Sequence, residues 1–161
     1  MDTIRVLYLE NSKNVRDMYR EYFKERIKFD FVNNVEAFDE FLFSDKESYD
    51  FIFIDLSVNI NGELTELCEK IAEFKKEKIP TKVKGTLQLI GYDYIKFVMK
   101  KREKTKDLIN KGRVIVVSGH YNIMKKEGLI TDEVFKGIPF FDRAKTPIRE
   151  IDRIIRRVSG G

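Results

Sequence analysis

Three short runs of bulky apolar residues constrain the fold of this chain more than any other feature. Each run is continuous, without alternation of apolar and polar residues, and each ends at a polar side chain. They are Val6–Leu9 before Glu10, Phe51–Ile54 before Asp55, and Val114–Val117 before Ser118. Such runs are typical of parallel strands that are covered on both faces. A shorter predicted strand at Phe29–Val32 and two stretches with helical spacing lie between the first two runs. The resulting order βαβαβ over residues 4–55 predicts an α/β protein.

The polar residues after these strands should lie close together. In an open parallel α/β sheet the carboxyl ends of the strands form one edge, and ligands bind there. Glu10, Asp55 and Ser118 would be joined by Lys145, which follows a fourth predicted strand at Ile138–Phe141. Carboxylates, a hydroxyl and an ammonium group in one crevice suit a divalent cation beside a phosphoryl group. Each residue alone has a plainer interpretation, such as a loop cap for Asp55.

Apolar residues at helical spacing predict the helices between the strands. Asn11 or Ser12 is the predicted N-cap of the first helix, and Asn33 or Asn34 that of the second. Cys68 falls on the apolar face of the third helix, which predicts a core position. The predicted helices cover 12–27, a segment with Val35, Phe38, Phe41 and Leu42 on its apolar face, 63–78, 92–110, and a last helix from Pro147 to Val158. Residues 81–90 fit either a strand or a helix start.

The composition fits one folded domain over residues 1–161. The chain is 42% hydrophobic and 36% charged, which argues against a disordered chain and against a membrane protein. No apolar run approaches the roughly 18 residues of a membrane span, and the N-terminus lacks the layout of a signal peptide. The single cysteine excludes an internal disulfide, and with the single His120 it argues against a zinc site. We therefore expect a cytoplasmic protein without a membrane partner.

Positive charge is concentrated in one part of the chain. The net charge is only +4, but residues 75–113 contain 13 Lys or Arg against four Asp or Glu. Such a stretch is compatible with a solvated helix surface, with an acidic partner, or with nucleic acid. The 13 phenylalanines occur at core spacing, so we expect them to fill the core and not to lie among the lysines.

Four segments together resemble the receiver domain of response regulators. They are Val6–Arg16, Phe51–Asp55, Val116–Gly119 and Phe141–Pro147. The resemblance implies a doubly wound, flavodoxin-like five-stranded parallel sheet of order 2-1-3-4-5. It covers residues 4–62 and 113–158. Between these parts the chain is longer than a minimal receiver, which predicts a helical insertion at about 80–112, between the third helix and the fourth strand.

The resemblance also implies a phosphoryl-accepting site. Asp55 would receive a phosphoryl group from a histidine kinase or a phosphotransfer protein. The transfer would use Mg²⁺, held by Glu10, Asn11, Asp55 and the backbone carbonyl of Ser57. At Asn11 the family usually has a second acid, so the cation site should be weakened. The loop Leu56–Gly62 also departs from the family pattern, being one residue short.

Three further residues would read out the phosphorylation. Lys145 would pair with Asp55 and then with the phosphoryl group. The hydroxyl of Ser118 would move to the new phosphoryl oxygen, and Phe141 is the predicted aromatic switch. An extra residue within Asp142–Ala144 precedes Lys145, which is a third departure from the family pattern.

These inferences favour a stand-alone receiver in two-component signalling, a phosphoprotein that acts on a downstream protein target. It would be no enzyme beyond self-phosphorylation from a phosphodonor and slow autodephosphorylation. The main alternative is a pseudo-receiver, an interaction module that works without phosphorylation. A third hypothesis is nucleic-acid binding by the basic insertion. A fourth, FMN or nucleotide binding, lacks a Gly-rich loop after the first strand, and a metabolic enzyme lacks a nucleophile–base pair.

Overall fold

A computed structural model describes residues 3–63, 65–76, 82–119 and 121–160. The strands in these ranges are β1 (Ile4–Leu9), β2 (Ile27–Val32), β3 (Phe51–Ile54), β4 (Val58–Glu63), β5 (Lys82–Gln88), β6 (Val114–Ser118) and β7 (Phe140–Asp142). Five of them form an all-parallel sheet of order β2-β1-β3-β6-β7. This is the predicted flavodoxin-like order 2-1-3-4-5, so the fold prediction is confirmed.

Helices connect the strands in the alternating manner of an α/β protein. They are α1 (Lys13–Phe23), α2 (Val35–Phe43), α3 (Glu66–Lys75), α4 (Ile90–Phe97), α5 (Glu103–Asn110), α6 (Tyr121–Lys126) and α7 (Ile148–Gly160). Short 3-10 turns lie at Met99–Lys101 and Asp132–Phe135. None of the helices in the described ranges has both the length and the apolarity to cross a bilayer.

The predicted N-caps are confirmed. The side chain of Ser12 accepts a hydrogen bond from the Val15 amide at 3.4 Å. The side chain of Asn34 accepts one from the Ala37 amide at 2.8 Å. Each cap satisfies one of the free amides of the first helical turn, which fixes where its helix begins.

Both faces of the sheet are covered, which explains why the strands lack alternation. Under α1 and α7 lies an aromatic cluster, in which Tyr8 meets Tyr19 at 5.2 Å and Phe53 at 5.4 Å between ring centroids. The other face is mostly aliphatic and packs against α2, α3, α4 and α6. Cys68 is buried there, as predicted. Every residue of β3 and β6 is buried, because each side chain meets one of these two layers.

Two predicted helices have different bounds in the structure. The first ends at Phe23, because Lys24 adopts a positive φ of 44° that breaks the helical conformation. Ile27 therefore begins β2 and is not a helical residue. The predicted helix at 92–110 is divided into α4, a 3-10 turn and α5. The buried hydroxyl of Thr105 stabilises this break by donating to the carbonyls of Met99 and Arg102.

The insertion contains a strand as well as helices. Helices α4 and α5 confirm its predicted helical character, and β5 resolves the ambiguity at 81–90. Strand β5 pairs antiparallel with β4, which lies in the segment predicted to be a loop. That prediction was wrong because β4 and β5 are polar segments that contain glycine. They are also separated along the chain by α3, so neither strand is adjacent in sequence to its partner. Sequence periodicity does not report such a distant partner.

Some predicted apolar positions have other environments or lie outside the described residues. Phe41 is 39% exposed and Phe74 is 56% exposed, so these two were wrongly assigned to the core. Helix α3 ends at Lys75, where Lys76 caps it with a φ of 56°. The part of the predicted third helix at 77–78 and the loop residue His120 lie outside the described residues.

Candidate functional site

Four neighbouring strands bring polar side chains to one edge of the sheet. Glu10 follows β1, Asp55 follows β3, Ser118 ends β6 and Arg143 follows β7. The sheet pairing continues into these residues: the Asp55 amide donates to Leu9 O at 3.1 Å, and the Arg143 amide donates to Ser118 O at 2.9 Å. The backbone therefore fixes where each of these side chains begins, as the sequence predicted for Glu10, Asp55 and Ser118.

A guanidinium group joins the two buried carboxylates. Arg143 Nη1 lies 2.7 Å from Glu10 Oε2 and 3.7 Å from Asp55 Oδ2. Glu10 is fully buried and Asp55 is 4% exposed. Buried carboxylates are costly without a compensating charge. Arg143 supplies that charge, and sequence reasoning did not assign it to the site.

The other oxygen of each carboxylate faces a backbone amide. The Ser12 amide donates to Glu10 Oε1 at 2.9 Å, and the Ser57 amide donates to Asp55 Oδ1 at 3.2 Å. Glu10 therefore joins the beginning of α1 to Arg143. The Asp55 carboxylate similarly fixes the Ser57 amide, which directly precedes β4.

Electrostatics set Asp55 apart from an ordinary aspartate. Burial raises the pKa of Asp55 from 3.8 to about 7, and the charge of Glu10 adds to the rise. Arg143, the Ser57 amide and the Ser118 hydroxyl oppose it. Burial would lower the pKa of Arg143, but the charges of Glu10 and Asp55 outweigh that effect and raise it. Asp55 thus changes charge near neutral pH beside a permanent cation.

The Ser118 hydroxyl is buried beside Asp55, and its contact with a described residue lacks normal hydrogen-bond geometry. Ser118 is 0% exposed, and its Oγ finds no partner of normal geometry among the described residues. It nevertheless lies near enough to Asp55 to lower the pKa of that carboxyl. A buried hydroxyl without a partner costs about 1–3 kcal/mol, so its place beside Asp55 calls for an explanation.

Arg143 occupies the place that the sequence predicted for Lys145. Lys145 is exposed, and no ion pair joins it to a carboxylate within the described ranges. A turn around Asp142 explains this: its side chain accepts from the Ala144 amide at 3.0 Å, and its carbonyl accepts from the amides of Lys145 and Thr146 at 3.0 and 2.8 Å. The turn leaves Arg143 at the strand end and puts Lys145 in its outer part.

Asn11 and Phe141, the other predicted site residues, have less distinctive surroundings. Asn11 is half-buried, and none of the side-chain hydrogen bonds between described residues involves it. Phe141 packs partly buried against the aromatic cluster under α1 and α7. The aromatic residue that reaches the surface of β7 is Phe140, which is 39% exposed and stacks on Tyr121 with ring centroids 3.8 Å apart.

Mg²⁺ does not fit the residues as they are arranged. No group of three or more histidine, cysteine or carboxylate side chains able to hold a metal occurs in the part of the chain that the structure describes. Glu10 and Asp55 face protein donors with all four oxygens, and the Arg143 guanidinium lies between them. Mg²⁺ needs about six oxygen ligands in near-octahedral geometry. A cation bridging both carboxylates would have to displace the guanidinium.

The insertion touches this site through a glycine. The Gly91 amide, in the first turn of α4, donates to Leu56 O at 3.2 Å. A methyl group at Gly91 would overlap the carbonyl oxygen of Asp55 and lie 3.0 Å from the Leu56 Cα. Only glycine lets α4 approach the backbone after β3 this closely, a contact that sequence reasoning missed.

A second surface carries exposed aromatic rings among lysines. Phe74 of α3 stacks on Phe97 of α4, with centroids 6.2 Å apart and planes 13° from parallel. Lys101 Nζ lies 5.0 Å from the Phe74 ring, and Lys96 Nζ lies 5.2 Å from the Phe97 ring. The expectation that no phenylalanine lies among the lysines was therefore wrong for Phe74.

Comparison with known proteins adds no family assignment. No protein-family model matches the chain, and no curated protein matches it either. The functional argument therefore depends on the fold and on the residues at the carboxyl edge of the sheet.

Proposed function

We propose that this chain is a receiver that accepts a phosphoryl group on Asp55 from a histidine kinase or a phosphotransfer protein. The observation that carries the proposal is the buried Ser118 hydroxyl beside Asp55, which has no partner of normal geometry among the described residues. A phosphoryl oxygen on Asp55 would supply a hydrogen-bond acceptor for this hydroxyl. The parallel sheet of order 2-1-3-4-5 supports the same reading, because sites of such sheets lie at this edge.

The chemistry is an in-line phosphoryl transfer. An Asp55 carboxylate oxygen attacks phosphorus, an O–P bond forms, and the bond from phosphorus to the donor imidazole nitrogen breaks. The imidazole leaves with the electron pair of that bond. Asp55 must be ionised to attack, and the nearby Arg143 favours the ionised form. The same guanidinium stabilises negative charge on the phosphoryl oxygens.

Phosphorylation would act on the surface of the last two strands. In the unphosphorylated protein Arg143 holds Glu10 and lies near Asp55. A phosphoryl group would compete for Arg143 and would accept a hydrogen bond from Ser118. Ser118 pairs with Asp142 of β7, the strand that carries the exposed Phe140. A local change of charge would thus be passed to a surface that a cytoplasmic protein target can contact.

Incubation with acetyl phosphate tests the proposal, with the mass of the intact protein as the readout. We expect one phosphoryl adduct on the wild-type protein and none on Asp55→Asn. The matched control is Asp45→Asn, which removes an exposed aspartate and should leave the adduct unchanged. An adduct that survives Asp55→Asn would place the acceptor elsewhere and refute the proposal.

The pseudo-receiver is the second candidate, and the Arg143 contacts favour it. The Glu10–Arg143–Asp55 cluster is already packed, and its negative charge is partly compensated, without a phosphoryl group. Such a cluster can fix the edge of the sheet for constant binding of a partner. A folded wild-type protein that gains no adduct from acetyl phosphate would favour this candidate.

A further inference from the structure

We propose that the Arg143 guanidinium is the built-in cation of this site and occupies the place of a divalent metal ion. Two consequences follow. The unmodified protein does not bind Mg²⁺ at Glu10 and Asp55, and removal of the guanidinium creates a metal site there. A third consequence rests on the proposed function: phosphorylation of Asp55 proceeds without Mg²⁺.

The position of one nitrogen atom carries the first step. Arg143 Nη1 is within 2.7 Å of Glu10 and within 3.7 Å of Asp55. A metal ion shared by two carboxylates has to lie in the space between them, and here that space holds a positive nitrogen. The side chain is 24% exposed whereas the Glu10 side chain is 0% exposed, so the guanidinium lies between Glu10 and solvent.

The charge balance points the same way. Two carboxylates face one guanidinium, so the ionised cluster carries one net negative charge. The residue after Glu10 is Asn11, a neutral side chain, which keeps the negative charge of this edge low. A divalent ion added beside Arg143 would make the cluster positive and would meet repulsion from the guanidinium.

The surrounding backbone holds Arg143 in this position. Its amide donates to Ser118 O at 2.9 Å, which continues the β6–β7 pairing. Its guanidinium packs against Gly119, where an added Cβ would lie 3.2 Å from Nη2. The absence of a side chain at Gly119 leaves room for the guanidinium at this position.

Metal binding tests the inference without any phosphodonor. The probe is Mg²⁺ alone, titrated calorimetrically into the wild-type protein, Arg143→Met and the double variant Arg143→Met/Asp55→Asn. We expect no saturable binding to the wild type at millimolar Mg²⁺, binding at least about tenfold tighter in Arg143→Met, and loss of this gain in the double variant. The matched control is Arg149→Met, an exposed arginine, which should behave as the wild type.

Two results would overturn the inference. One is saturable Mg²⁺ binding to the wild type that Asp55→Asn removes, a measurement that needs no variant of Arg143. The other is folded Arg143→Met that binds no more Mg²⁺ than the wild type. If Arg143→Met does not fold, Arg143→Gln replaces it, because this variant removes the charge and keeps a hydrogen-bond donor.

Phosphorylation separates this inference from the proposed function. An adduct on Asp55 formed equally with EDTA and with Mg²⁺ supports both. An adduct that requires Mg²⁺ supports the proposed function and overturns the inference. If no adduct forms in either condition, the proposed function fails, and the calorimetric titrations decide on Arg143 alone.

Discussion

The local sequence pattern predicts the parallel sheet well and the insertion poorly, although the two regions meet beside Asp55. The sheet is built from continuous apolar strands that are buried on both faces. The insertion contains one strand, β5, which pairs with the polar β4, and short helices that are interrupted by a 3-10 turn. In the sheet, local pattern and final packing agree, so the sequence is informative. In the insertion the structure depends on partners that are distant along the chain.

The insertion is tied to the rest of the molecule by partly buried polar contacts. The Tyr94 hydroxyl of α4 donates to Asp39 of α2 at 2.7 Å, and Arg102 reaches the same carboxylate oxygen at 2.8 Å. The close approach of Gly91 to the Asp55 backbone adds a contact at the site itself. The difference between the two regions therefore concerns how each is encoded, and it does not make the insertion a separate appendage.

Among the variants of the candidate site, removal of Arg143 should have the largest effect, because buried charges meet there. We expect Arg143→Met to lower the free energy of unfolding by about 3 kcal/mol above the pKa of Asp55, since both carboxylates lose their cation. Urea denaturation measures this. The exposed control Arg149→Met should change the free energy by less than about 0.5 kcal/mol. Equal effects of the two variants would mean that Arg143 is an ordinary surface charge.

Gly91→Ala tests the contact between the two regions. The added methyl overlaps the Asp55 carbonyl oxygen, so α4 has to shift, and we expect a loss of about 2 kcal/mol in urea denaturation. Gly160→Ala is the control, because a methyl there meets no atom within 4 Å. If Gly91→Ala is as stable as this control, the insertion does not pack on the backbone after β3.

Asp55→Asn should make the protein more stable than the wild type, by a margin that grows as the pH rises to neutral. The folded protein holds the Asp55 proton up to about pH 7, whereas the ordinary pKa is 3.8. Wild-type stability should therefore fall between these two values and stay level above them. Asp55→Asn lacks this loss, so we expect it to be more stable by about 1 kcal/mol or more above neutral pH. Thermal unfolding across this pH range measures the difference, and a pH dependence equal to that of the exposed control Asp45→Asn would contradict it.

The sequence predicts most of the sheet edge, and the exception has a physical cause. Glu10, Asp55 and Ser118 were predictable because each directly follows a buried strand, so strand register alone determines its place. Arg143 was not, because the turn around Asp142 decides which residue remains at the strand end. That turn depends on a few local hydrogen bonds, which a resemblance centred on Lys145 does not reveal.

The insertion was harder to predict for another reason. Strand β4 alternates apolar and polar residues only over Val58–Asn61, which is too short to distinguish a strand from a polar loop, and its pairing with β5 includes a register shift between Ile60 and Gly62. The break between α4 and α5 depends on the Thr105 hydroxyl, a polar group that helix periodicity treats as neutral. Neither feature produces a periodic pattern long enough to recognise in the sequence. The helices of this segment do produce one, because their apolar residues recur at helical spacing.

Phe74→Ala, in α3 where it stacks on Phe97 of the insertion, should have the smallest effect on stability. Phe74 is 56% exposed, so we expect a loss of about 0.5 kcal/mol or less. The control Phe38→Ala removes a fully buried ring that meets Tyr94 edge to face at 5.5 Å, and should cost about 3–5 kcal/mol.

Phe74→Ala also tests whether the basic insertion, together with the neighbouring Phe74 of α3, binds nucleic acid. Fluorescence anisotropy with a single-stranded oligonucleotide would report binding, and electrostatic binding weakens steeply as salt is added. A ring used for base stacking contributes about 1–3 kcal/mol per base, so Phe74→Ala would then lower the affinity about tenfold while leaving the fold intact. No binding at low salt, or binding that Phe74→Ala leaves unchanged, would mean that the lysines around Phe74 form a solvated helix surface. In that case the contact of the insertion that bears on the candidate site is the packing of Gly91 on the backbone after β3.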